Sequence, residues 1–187
     1  PPSLERTTWT GLPLGTSDVN HGDMFTKQAT LTGAIFEMKK PTLAALPGAA
    51  AGAGMSIALS CDIRLAAKSA FVTTAFRNVG LSGDYGSSWL LPQLVGPAKA
   101  KQLFYTAQRV QSDEALKLGI FQEVYDDESM HTEALEMAKT IAAGPRHAIS
   151  NYKQNINAAI QGIGFDAGLD NESKAMARNS ANPEASA

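Results

Sequence analysis

The sequence predicts a single α/β domain, and three observations predict it. Short apolar or alternating stretches at residues 42–46, 62–66 and 70–73 have the length and pattern of strands, and a helix-length apolar run separates the first two. From about residue 128 onward the apolar spacing is helical. Neither an internal repeat nor a linker divides the 187 residues, so the strands, their connecting helices and the helices that follow belong to one unit. One domain over 1–187 thus reads as a loop at 1–22, a core at 39–125 and a helical region at 128–187.

Residues 1–22 hold three prolines, three glycines and no apolar period, which is loop chemistry. Asp23 can cap a helix running to about Met38, where Met24, Leu31, Ile35 and Met38 recur at helical spacing. Lys39-Lys40-Pro41 stops it. A buried strand at 42–46, a turn at 48–54 and a buried helix at 53–60 come next. The strand at 62–66 alternates polar and apolar residues, and 70–73 is a further short strand. A loop at 80–84 leads into a helix from Tyr85 to Leu94, which Pro92 kinks or stops before Gly96. Pro97 suits a first helical position, giving a helix to about Ala107 with Leu103 and Phe104 inward. Ser112-Asp113-Glu114 supplies a cap and an acidic first turn to another helix, which Gly119 closes. Residues 120–125 read as a strand and 128–143 as an amphipathic helix through Met130, Ala134, Met137 and Ile141. Pro145 opens a helix with Ile149, Tyr152, Ile156 and Ile160 on one face, and a last helix covers about 165–179.

Composition narrows the function classes. With 44% hydrophobic and 18% charged residues, the chain can bury a substantial core. Sixteen basic and eighteen acidic residues give a net charge of −2 with no long block of either sign, which argues against nucleic acid or a membrane surface as partner. No window reaches the about 18 apolar residues of a membrane span, and no signal segment opens the chain. Cys61 is the only cysteine, so no disulfide forms within the chain, which fits a cytoplasmic location, and Cys61 itself reads as a small core residue. His21, His131 and His147 share no ligand spacing, so no metal site is expected. Pro1-Pro2 opens the chain without a methionine, and Pro183-Glu184-Ala185-Ser186-Ala187 closes it soon after a helix. Both ends read as cut, and the chain is expected to be part of a longer polypeptide.

The chain is organised around Leu46-Pro47-Gly48-Ala49-Ala50-Ala51-Gly52-Ala53-Gly54-Met55-Ser56. Such a glycine-rich turn presents backbone: small residues admit close approach, and the first N–H groups of the following helix lack intrahelical acceptors. Half of an oxyanion hole has this make-up, and so does a strand-to-helix turn packed tightly on a neighbour. A second stretch decides between them: Phe71-Val72-Thr73-Thr74-Ala75-Phe76-Arg77-Asn78-Val79-Gly80-Leu81-Ser82-Gly83-Asp84-Tyr85-Gly86-Ser87-Ser88-Trp89. Together with Lys40-Pro41-Thr42 through Asp62, and with Gln111-Ser112-Asp113-Glu114-Ala115 through Gly119, it resembles the enoyl-CoA hydratase/isomerase (crotonase) family, in order from about Lys39 to Ala143.

That resemblance implies a superhelical core of ββα units, a homotrimer or hexamer, and acyl-CoA thioesters as substrates, with coenzyme A as part of the substrate and no separate cofactor. In the family two backbone N–H groups hold the thioester carbonyl and stabilise an enolate-like intermediate. One falls on Ala53, flanked by Gly52 and Gly54 as substrate-binding positions; the other belongs to an upstream segment that this chain does not recognisably contain. The two glutamates that handle water in hydratases fall on Ser56 and Phe76, neither able to do carboxylate work. Phe76, Leu81, Gly83 and Trp89 are expected to line the acyl site. Asp84 stands where hydratases usually have glycine and where certain double-bond isomerases, including the ring-epoxide isomerase of phenylacetate breakdown, have aspartate. Apolar Leu81, Tyr85 and Trp89 would raise its pKa by desolvation. From the residues alone, an N-cap of the helix beginning at Tyr85 is the stronger reading; the resemblance turns the balance to an acid/base.

Other polar residues have plainer readings. Asp62 and Arg64 suit a structural pair, Ser87-Ser88 helix packing or hydrogen bonding, and Glu123 with Asp126-Asp127 solvated strand ends. Lys153 could reach a CoA phosphate, although a solvated helix face explains it better. The expected reaction is double-bond isomerisation of an enoyl-CoA through Asp84. A hydratase is the alternative enzyme, and a non-catalytic scaffold of the same fold the alternative of another class.

Overall fold

The computed structural model describes residues 21–180. The expected loop at 1–22 therefore lies outside the described residues apart from its last two, which are already helical, and the closing stretch at 183–187 lies outside them as well. Helix α1 (His21–Gln28) runs through a π-helical turn (Ala29–Gly33) into α2 (Ala34–Glu37). The expected helix from Asp23 is thus earlier in start and distorted in the middle. Thr26, Thr30 and Thr32 explain the distortion: each hydroxyl donates to the carbonyl four residues back, at 2.8, 2.8 and 3.1 Å, and such bonds compete with the helical ladder. Met24, Leu31 and Met38, expected to form an apolar stripe, are exposed.

Among the described residues, six strands follow the path of a superhelix. β1 (Leu43–Leu46) and β2 (Ala50–Ala51) precede α3 (Ala53–Ser60); β3 (Ile63–Ala67) and β4 (Phe71–Thr73) precede a 3-10 turn (Phe76–Val79), α4 (Ser87–Val95) and α5 (Pro97–Thr106). β5 (Val110–Gln111), α6 (Ser112–Lys117) and β6 (Glu123–Tyr125) complete the core. One sheet has the order β1-β3-β6, all parallel, with Leu43 opposite Ile63 and Leu65 opposite Glu123. The other has the order β2-β4-β5, parallel then antiparallel. In each of the first two turns, a strand of the first sheet passes to a strand of the second and then into helix. Parallel neighbours require such crossovers, and the helices cover the sheets. Leu65, Leu91, Ala115, Ile120 and Met130, each 0% exposed, form the centre of the core.

Several boundaries differ from the sequence expectation. The turn at 48–54 contains β2, and the expected strand at 120–125 shortens to its last three residues, with Ile120 and Phe121 buried in irregular chain. Pro92 lies inside α4 without ending it, and that helix starts at Ser87, two residues after Tyr85. Ser112 is the first helical residue of α6 and not its side-chain cap; its hydroxyl donates to the Lys68 carbonyl at 2.7 Å, tying α6 to the turn that follows β3.

Helix α7 (Met130–Ala142) buries Met130 and Ala134 as its period predicts. α8 (Arg146–Ile160) is rotated from its expected face: Tyr152 and Ile156 are 64% and 59% exposed, while Lys153 is buried. The Lys153 ammonium pairs with Asp62 at 2.9 Å and donates to the carbonyls of Ile35 and Lys40, and Asn157 donates to the Phe36 carbonyl. Lys153 is therefore neither on a solvated face nor free for a phosphate. An ion pair closed by two carbonyls has fixed the rotation of the helix where apolar spacing pointed elsewhere. Asp62 also accepts from the Thr42 amide and hydroxyl, at 2.7 and 3.0 Å, instead of pairing with Arg64. The buried Arg64 donates to the carbonyls of Ile120 and Cys61, both at 2.6 Å, and burial lowers its pKa. α9 (Phe165–Ser180) packs along α8. Among the described residues, no helix is long and apolar enough to cross a membrane.

Candidate active site

The glycine-rich turn enters α3 through Gly52, whose φ of 52° and ψ of −122° lie where side chains are strongly disfavoured. Its amide donates to the Thr73 carbonyl at 3.1 Å, which ties the turn to β4. Ala53 is the first residue of α3, and its N–H has no acceptor among the described residues. Gly54 is exposed, with open space where a Cβ would stand. An unpartnered helix-start amide beside an open glycine can receive the oxygen of a polarised carbonyl. Ser56, one turn on, is 0% exposed and donates to the Gly52 carbonyl at 3.2 Å, so its hydroxyl is sealed into the turn.

Phe76 connects this turn to the second stretch. A Cβ at Gly52 would stand 3.6 Å from Phe76 Cε1, and one at Gly83 would stand 3.8 Å from Cδ2, at the opposite edge of the same ring. Gly52 and Gly83, the residues before Ala53 and Asp84, thus flank a single aromatic plate. Phe76 is 6% exposed and stacks on Phe104 at 6.4 Å between ring centres. The two rings, with Leu81, Ser88 and Pro92, line a cleft of about 680 Å³. Gly83 has φ 107°, and a Cβ there would press to 3.3 Å from Phe104, so this backbone passes where only glycine fits comfortably.

Asp84 is half-buried, and its Oδ1 is shielded from water without a hydrogen-bond partner. Burial pushes its carboxyl pKa up. The capping alternative fails: the N-cap of α4 is Gly86, no side chain bonds the first amides, and Asp84 contributes only its main-chain carbonyl, to the Ser87 amide and hydroxyl at 3.2 and 3.0 Å. Ser87 thus does the hydrogen bonding expected of the Ser87-Ser88 pair.

The structure does not bring every candidate together. Leu81 is 61% exposed at the rim of the Phe76 cleft. Trp89 lies on the other side of α4, edge-on to Phe36 at 5.5 Å, away from the Phe76 rings. Cys61, read as a core residue, is half-buried at the end of α3 beside a separate cleft, and burial raises its thiol pKa. No group of three metal-ligating side chains occurs among the described residues. One contact had no sequence signal: Gln28 at the end of α1 accepts the Tyr85 amide on its Oε1 at 2.9 Å, across 57 residues.

Comparison with known proteins adds a second line of observation. Residues 16–182 match the family described as enoyl-CoA hydratase/isomerase. A short-chain-enoyl-CoA hydratase of Clostridium acetobutylicum is 37% identical over 139 residues, covering 74% of this chain and 53% of that protein. A 1,2-epoxyphenylacetyl-CoA isomerase of Escherichia coli is 37% identical over 123 residues, covering 66% of this chain and 47% of that protein. The crystal structure of an enoyl-CoA hydratase from Polaromonas sp. JS666 superposes with a TM-score of 0.80 at 32% identity, covering 84% of this chain and 61% of that one. The chain spans about half the length of the curated relatives it matches. Its alternating two-sheet winding is the crotonase-type ββα core that the glycine turn and the Asp84 stretch pointed to. By its turn, its winding and a match that runs through nearly all its residues, the chain belongs to the enoyl-CoA hydratase/isomerase family.

Proposed function

We propose that this protein binds an acyl-CoA and isomerises the double bond of an enoyl-CoA, with Asp84 as the single acid/base and the Ala53 amide as one oxyanion donor. The observation that carries this reading is the Asp84 carboxylate, half-buried, lacking a partner on Oδ1 and not used as a cap. A base with a raised pKa is matched to taking a proton from the carbon next to a thioester carbonyl. The charge left behind moves onto the thioester oxygen, where the Ala53 N–H can stabilise it. The same carboxyl then returns the proton two carbons further on, so the double bond shifts and no other reactant is consumed.

Hydration would need a second group to position and activate water. Ser56 is sealed against the Gly52 carbonyl and Phe76 is a buried ring, so neither can serve. A hydratase remains the second reading because a relative at 37% identity bears that name, and the isomerase named at the same identity favours the first. We propose Gly52, Gly54, Phe76, Leu81 and Gly83 as acyl-site residues; Trp89, against Phe36 on the far side of α4, lies outside this cleft. Coenzyme A enters as part of the substrate, with no separate cofactor. The protein is proposed to be cytoplasmic and to assemble as a homotrimer or hexamer, which the exposed apolar side chains of α8 and α9, among them Tyr152, Phe165 and Met176, support.

The test measures conversion of 3-enoyl-CoA to 2-enoyl-CoA, and hydration of 2-enoyl-CoA, for the protein as its gene encodes it and for Asp84→Asn. Isomerisation is expected to fall on the order of 10² to 10⁴-fold in the variant. Brisk hydration with 3-enoyl-CoA untouched would replace this reading by the hydratase, and activity in neither assay would favour a scaffold.

A further inference from the structure

Asp84 sits in an unusual piece of backbone. Gly83, Tyr85 and Gly86 all have positive φ, at 107°, 51° and 80°. Glycine adopts such angles freely, whereas a residue as bulky as tyrosine adopts them only where its surroundings hold it there. The Asp84–Tyr85 peptide is held at both ends: its carbonyl accepts from the Ser87 amide and hydroxyl within the loop, and its N–H donates to Gln28 Oε1 at 2.9 Å from outside it.

The other end of this contact is also specialised. Gln28 is the last residue of α1, directly before the π-helical turn, and residues 22–27 before it are exposed while Gln28 is half-buried. A π turn widens the helix by one residue and changes the direction in which the adjoining side chains leave it. Thr32 donates to the Gln28 carbonyl at 3.1 Å, which holds the main chain of Gln28 inside the widened turn. Gln28, Thr32 and Phe36 face Tyr85 and Trp89 across a shared cleft of about 460 Å³.

We infer that Gln28 is a positioning residue: its side-chain carbonyl latches the Tyr85 amide and, with Ser87 on the carbonyl of the same peptide, sets the direction in which the Asp84 carboxylate is presented. The inference rests on Asp84 being the base. It assigns the distortion between α1 and α2 a purpose, that of delivering one acceptor to one strained peptide.

The test uses Gln28→Met, which keeps length and removes the acceptor, and Gln28→Glu, which keeps an acceptor. Hydrogen exchange of the Tyr85 amide is followed by NMR, and isomerase kcat and KM are measured on the same proteins, with Asp84→Asn alongside. In Gln28→Met, Tyr85 exchange is expected to accelerate about tenfold. Its kcat is expected to fall about tenfold or more while KM stays within about twofold, the pattern of a displaced base. Gln28→Glu is expected to restore the protection of Tyr85 and most of kcat. Unchanged Tyr85 exchange and kcat in Gln28→Met would overturn the latch, as would equal losses in Gln28→Met and Gln28→Glu, since packing alone would then explain the site. Full isomerase activity in Asp84→Asn would sink the reaction reading whatever Tyr85 does; an inactive Asp84→Asn beside a fully active Gln28→Met would sink only the latch.

Discussion

A carboxylate with one oxygen shielded from water and given no hydrogen bond is disfavoured in its charged form, and Asp84 is such a group. Because its folded pKa lies above the unfolded value, the folded state binds the extra proton more readily. The stability this contributes is fully present below the ordinary aspartate range and is lost as pH rises through the raised value. Asp84→Asn should therefore have a higher denaturation midpoint than wild type at pH 7, with the difference vanishing by about pH 3. A lower midpoint for the variant at pH 7 would contradict the burial account. Ala53, Phe76 and Asp84 became candidates through the family resemblance of the two stretches that hold them, and the structure brings Gly52 and Gly83, the residues before Ala53 and Asp84, to one aromatic ring. The roles of Gln28 and Lys153 were not legible in the sequence. Their partners lie 57 residues away in one case and about 90 or more in the other, and both side chains sit on helices whose local pattern predicts solvent.

At the scale of elements, strands of three residues or more and helices marked by proline, glycine or regular apolar spacing were readable, and two-residue strands and strained helix starts were not. β2 and β5 are two residues each, too short for a period to show. The start of α4 was misplaced because Tyr85 has positive φ, which no propensity announces for tyrosine. A similar strain gives the second prediction. Ala107 ends α5 at φ 50° and ψ 29°, donating its amide to the Leu103 carbonyl at 2.9 Å, in the left-handed geometry that glycine fills at helix ends. Ala107→Gly should keep that bond and the bond from the Thr73 hydroxyl to the Ala107 carbonyl, and stabilise the protein by about 1 kcal/mol. Equilibrium denaturation checks this, and a destabilised variant would show that the Ala107 methyl carries packing worth more than the strain.

For the whole molecule, the helical region leaves large apolar side chains facing water: Phe165 is 80% exposed and Met176 68% on α9. If the proposed assembly uses this face, replacing both with aspartate should lower the sedimentation coefficient to that of a single chain while the helical circular dichroism signal stays, since exposed substitutions typically change stability by no more than about 0.5 kcal/mol. An unaltered oligomer would move the interface elsewhere. The two-sheet winding also bears on how the chain is born. β3 has β1, made one helix earlier, on one side, but its other neighbour, β6, lies 58 residues downstream. At roughly 5 to 20 residues per second of synthesis, that edge stays unpaired for about 3 to 12 s on each nascent chain. During that interval Arg64 lacks the Ile120 carbonyl that receives its guanidinium and the Gln122 side chain that receives its amide. The first sheet is therefore a structure that vectorial synthesis must hold open, and a charged guanidinium on its bare edge deters another strand from closing it first.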